Sequence, residues 1–213
     1  TYALNNSFAS AGTTSFTNSG VITKSAVGNI TSTGAFTTTT GDVNLAANIT
    51  TTDTDLSIGG NLVIAEAATP TLSTGTASLG NILISGTTNG TAGGVAETLT
   101  VDSGTGTTTF TGAVGIGAAL ELATVTVTNS AALLFSAAVN ITGALTQTNA
   151  ATGGTTFSNT VSVGSADLRG TTYALNNSFA SGGTTSFTNS GVITKSATGD
   201  ITSTGAFSTT TGD

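Results

Sequence analysis

The chain has no cysteine, histidine, methionine or tryptophan, a single proline, and only three cationic side chains among 213 residues. Each absence removes a class of chemistry. Without Cys or His there is no thiolate nucleophile, no imidazole base, no zinc or haem ligand set and no disulfide framework. Ten Asp and Glu against three Lys and Arg leave a net charge of −7. That balance argues against nucleic acid, whose phosphates are met by basic side chains, and against anionic lipid surfaces. Charged residues make up 6% of the chain, where about 25% is usual. The inventory predicts a protein that is not an enzyme and needs no cofactor.

What remains is mostly Thr, Gly, Ser and Asn, which together exceed half of the sequence. The chain is nevertheless 37% hydrophobic, too apolar for a disordered segment, which lacks the side chains to build a core. The longest apolar stretch, around Ala131–Val139, is too short to cross a bilayer. Acidic, Cys-free, Thr-rich composition of this kind is associated with secreted and cell-surface proteins, so an extracellular location is the expectation.

The strongest signal is a duplication. Residues 172–213 repeat residues 1–42 at an offset of 171, and only four of the 42 positions differ: Ala11/Gly182, Val27/Thr198, Asn29/Asp200 and Thr37/Ser208. Long periods of this kind belong to arrays. The pattern predicts a window onto a tandem protein, with 1–171 one full period of a shaft and 172–213 the start of the next. The partners predicted are further copies of the same unit, end to end in a covalent tandem or a non-covalent polymer, with side-by-side packing left open.

A finer, degenerate repeat lies inside the period. Segments aligned on Phe110, Phe135 and Phe157 place apolar residues at F, F+4 and F+6: Phe110/Val114/Ile116, Phe135/Val139/Ile141 and Phe157/Val161/Val163. Even offsets put such side chains on one face of an extended chain. Leu56/Ile58, Leu62/Ile64, Ile82/Ile84, Leu99/Val101 and Val125/Val127 alternate in the same way. Phenylalanines recur at similar intervals, from Phe16 to Phe36, Phe110 to Phe135 and Phe135 to Phe157. Between the alternating segments lie Gly59-Gly60-Asn61, Asn89-Gly90, Gly93-Gly94 and Gly153-Gly154, all turn-type clusters. Pro70 belongs in a loop. Short strands, regular turns and a loose period of roughly 20–25 residues predict an all-β parallel β-solenoid with no α-helix. Each coil buries its apolar face only by stacking on its neighbours. The predicted core is Phe16, Phe36, Phe110, Val114, Ile116, Phe135, Val139, Ile141, Phe157, Val161, Val163 and Phe187. At this coil size one period makes seven or eight coils, an advance of about 35–40 Å. A string of antiparallel sandwiches is the rival fold, and it predicts self-similarity at half the long period, which the sequence lacks.

Segments such as Gly106–Leu120 (GTTTFTGAVGIGAAL) and Gly153–Leu168 (GGTTFSNTVSVGSADL) resemble the β-strand repeats of giant bacterial surface proteins. These include filamentous-haemagglutinin-like adhesins and autotransporter passengers. The resemblance covers most of the chain and rests on its low-complexity pattern. It implies a right-handed parallel β-helix, export across the envelope and a role as adhesin, stalk or surface fibre.

Candidates for chemistry are few. Asp53 and Asp55 form a DxD pair that alternation places on one strand face, where carboxylate oxygens could help to hold calcium. A full calcium site wants about six to eight oxygens, and the glycine-rich nonapeptide of calcium-binding β-rolls is missing, so a solvated strand face is the favoured reading. Glu66, Glu97, Asp102, Glu121 and Asp167 are scattered singly. Polysaccharide-cleaving β-helices need clustered Asp with Lys or Arg on one sheet, and Lys24, Arg169 and Lys195 are the only cations here. Lys24 reads as a solubilising or edge-protecting charge. Thr runs at Thr37–Thr40, Thr50–Thr52 and Thr107–Thr109, and the alternation Thr124/Thr126/Thr128, raise ice or carbohydrate binding as the alternative function. The favoured expectation is a shaft or matrix filament of an extracellular bacterial fibre or giant adhesin.

Overall fold

A computed structural model describes residues 1–75, 79–91, 97–117, 120–149 and 153–210. Among them there is no helix; 26 strands, most of three to five residues, account for all regular structure. Every strand pairing is parallel, and the strands form three sheets of five, twelve and nine strands, the five-stranded one confined to the earlier coils. The result is a β-solenoid of about nine coils with about 22 residues per coil.

The period-two alternation explains the strands. In Val43–Leu45, Ile49–Thr51, Leu56–Ile58 and Leu62–Ile64 the first and third residues are buried and the middle one is partly exposed. Three such strands make one coil, and the next coil lays its strands on them in register. Pro70, the residue that cannot donate to a ladder, lies just ahead of the strand Thr71–Ser73. Its carbonyl accepts the Thr100 N–H of the next coil.

Partner residues followed from coil to coil define three columns. The first runs Tyr2, Ile22, Val43, Leu62, Thr88, Val114, Val139, Val161, Phe179, Ile201. The second runs Phe8, Ile30, Ile49, Leu72, Val101, Val127, Gln147, Leu168, Phe187, Thr209. The third runs Thr14, Phe36, Leu56, Ile82, Thr108, Leu133, Thr155, Tyr173, Ile193. In the later coils the first two columns merge, because Val139–Gln147 and Val161–Gly170 carry one strand around the corner.

One continuous apolar cluster fills the interior from Phe16 to Phe187. On the third sheet Phe110, Phe135 and Phe157 stack face to face, with centroids 4.8 and 5.2 Å apart and planes within 8° and 3°. That spacing is close to the strand separation, so identical side chains in register stack with little adjustment. Corners are tied by side chains that reach one coil along the axis. Asn61 Oδ1 accepts the Thr87 N–H and Oγ1–H, and Asn81 Oδ1 accepts those of Thr107. The Asn149 amide donates to Asn129 Oδ1, and that of Asn129 donates to Asp102 Oδ1.

Candidate functional site

Eleven of the twelve predicted core residues lie inside: Phe16, Phe36, Phe110, Val114, Phe135, Val139, Ile141, Phe157, Val161, Val163 and Phe187 are all buried. Ile116 corrects the expectation, being 43% exposed. Alternation assumes an extended chain, and Gly115 (φ 66°) and Gly117 (φ 121°) bend it out of that region. Position F+6 is thereby turned to solvent. Leu122 takes its place, pairing with Ile141 and burying completely.

Lys24 is a second correction. It is 1% exposed and stands in a core rank between Leu4 and Leu45. Its stem follows the apolar column, and its Nζ donates 2.8 Å bonds to the carbonyls of Ser25 and Val27 at the corner. Burial draws its pKa below the usual lysine value. The corner itself needs Gly28, which has φ 72° and sits against the Ser7 backbone. Lys195 makes the same clamp on Ser196 and Thr198, beside Gly199 with φ 73°.

Asp53 and Asp55 do not share a strand face. Both lie in the turn between Ile49–Thr51 and Leu56–Ile58, and Asp53 has φ 55°. Asp55 Oδ1 accepts the backbone and side-chain N–H of Asn81, 2.8 and 3.2 Å away. It therefore begins a corner ladder. Other carboxylates reach the next coil likewise: Asp42 accepts from the Asn61 N–H, Asp102 from Asn129 and Glu121 from Asn140, while Glu97 accepts locally from Thr91 and Asp102 also from the Gly104 N–H. Among the described residues no group of three or more His, Cys, Asp or Glu is placed to hold a metal. Among the same residues no helix is long and apolar enough to cross a membrane. The Gly93-Gly94 turn lies outside the described residues.

The outer faces are shallow. An open groove of about 460 Å³ on the third sheet is lined by Thr37, Ser57, Leu83 and Thr109, with Asp55 and Asn81 beside them. On the second sheet Thr71, Thr100, Thr126 and Thr146 form an outward rank over four coils that ends at Asp167. Pattern reading missed this rank because its members are unevenly spaced along the chain; only the strand register aligns them.

The ends differ from the middle. Tyr2 is 43% exposed on the first coil, whereas its duplicate Tyr173 is 1% exposed with another coil on each side. Phe36 is fully buried beneath Leu56, while its duplicate Phe207 is 48% exposed. No family model matches the chain, and neither the curated proteins nor the solved structures give a match.

Proposed function

We propose that this chain is a repeating shaft segment of an extracellular bacterial fibre or giant adhesin, and that shape, not reactive groups, is what it supplies. The observation carrying this reading is the duplicated block, which joins the coil stack with the same local contacts as the first copy. The aromatic cluster Tyr2–Phe16, Phe8–Phe16 and Phe16–Phe36 has centroid distances of 5.1, 5.8 and 5.9 Å. Its duplicate, Tyr173–Phe187, Phe179–Phe187 and Phe187–Phe207, has 5.0, 5.6 and 6.0 Å. A unit that keeps the same internal packing at both places in the stack can be added repeatedly, since each coil edge is a pairing template. Its partners are then further copies of itself, joined end to end, and neighbouring fibres at its sides. Surface placement fits an acidic, Cys-free chain held together by backbone ladders and a thin apolar core.

The test is the mass of the intact polypeptide under denaturing conditions, with electron microscopy of the same material. Many hundreds of kilodaltons and unbranched rods support a covalent tandem shaft. A polypeptide no heavier than the 20.4 kDa of these residues, without rods, would overturn it.

The Thr71–Thr146 rank favours a second reading, an ice- or carbohydrate-binding face that orders water or sugar hydroxyls. Thermal hysteresis or glycan retention by the chain, lost in Thr100→Val/Thr126→Val, would support that alternative over the shaft.

A further inference from the structure

We infer that successive periods of the tandem repeat are set one third of a turn apart, so that an array displays each period's surface in three directions before repeating. This rests on the shaft reading, in which periods follow one another along one chain.

The duplicated strands land in different columns from their originals. Tyr2–Leu4 lies in the first column, but its copy Tyr173–Leu175 lies in the third. Phe8–Ser10 moves from the second column to the first, and Thr14–Phe16 from the third to the second. Ile22–Lys24, Ile30–Ser32 and Phe36–Thr38 shift in the same sense, to Ile193–Lys195, Ile201–Ser203 and Phe207–Thr210. Counted along the three columns, each copy stands 23 strand positions after its original. Three positions make a coil, so one period is seven and two-thirds coils. Because 23 is not a multiple of three, no strand of the second copy can lie above its original.

The fold tolerates this because the strand-and-turn unit is indifferent to its sheet. The lysine clamp joins the first column to the second at Lys24, and the third to the first at Lys195, each time on the carbonyls one and three residues further along. Asn18 and Asn189 each donate to a glycine carbonyl two residues on, Gly20 and Gly191. All four differences between the copies fall on exposed or half-buried positions; every inward residue is retained. Identical inward side chains therefore pack in two different columns.

One period advances about 37 Å at the usual strand spacing. Three periods make 23 whole coils and restore the starting face after about 110 Å. A neighbouring fibre or receptor that recognises one surface patch from one side then meets it every third period. Patches from intervening periods point to the other two sides.

Two measurements test this. In the present chain, which has no native cysteine, Ala174→Cys is combined with either Thr156→Cys or Ser162→Cys and treated with a short bis-thiol reagent. Ala174 pairs with Thr156 across the third sheet, so near-complete bridging is expected for that pair and little for the Ser162 pair. Bridging through Ser162, through both pairs or through neither would overturn the assignment of faces. In the intact polypeptide, images of single fibres should carry layer lines indexing on about 110 Å, with the single-period spacing as their third order. A true repeat at the single-period spacing would overturn the rotation while leaving the shaft intact. A polypeptide no heavier than the 20.4 kDa of these residues would overturn the shaft, while the cysteine pairs still report the rotation between the copies.

Discussion

Lys24 shows how a residue's chemistry is decided by the rank it occupies. Its Cβ points inward between Leu4 and Leu45, so the four-carbon stem packs as an aliphatic chain and the ammonium leaves through the corner. Lys24→Met keeps the stem and loses both charged bonds. It should cost about 1–3 kcal/mol in denaturant unfolding, and the same change at the more exposed Lys195 should cost less. Tyr173 offers a pH test. Burial, with Asp167 nearby, pushes its phenol well above the ordinary value. The native state thus keeps a proton that the unfolded chain releases near pH 10. This contribution is complete below about pH 10 and shrinks as pH rises through the alkaline range, by up to about 1.4 kcal/mol per pH unit. Tyr173→Phe should flatten that decline in a stability-against-pH series; an unchanged slope would contradict the assignment. At this scale alternation made most inward residues legible in the sequence. It failed at Ile116, where two positive-φ glycines interrupt the strand, and at Lys24, whose charge suggested solvent although its position in Ile22–Lys24 is inward.

At the scale of the strand and its neighbours, Phe110, Phe135 and Phe157 form a stacked, buried column. Phe135→Ala removes the middle ring from a fully enclosed site and should cost about 3–5 kcal/mol, measured by denaturant midpoint at constant slope. A cost below about 1 kcal/mol would mean that the rings do not form the core. Corner ladders are weaker. Asn81→Ala removes the acceptor for two Thr107 donors and the donor to Asp55, a loss of about 1–2 kcal/mol. The alternation of Phe, Val and Ile made the strands legible in the sequence. Assigning strands to sheets was not possible, because coils differ in length: the steps from Val161 to Phe179 and from Leu62 to Thr88 each complete one coil. The difference is taken up in turns, whose composition is nearly uniform. The same variability hid the Thr71–Thr146 rank and made the Asp53/Asp55 turn read as a strand face.

For the whole molecule, the long repeat and the expected seven or eight coils per period were readable without coordinates. The fractional remainder was not, since it depends on counting strands across turns of unequal length. That remainder is what sets the rotation between copies. The strands lie across the long axis, and backbone hydrogen bonds run along it. Diffraction from oriented fibres of the intact protein tests this most directly. A sharp reflection at about 4.7–4.9 Å is expected on the meridian. The same spacing on the equator, from strands running lengthwise in bead-like sandwiches, would contradict it.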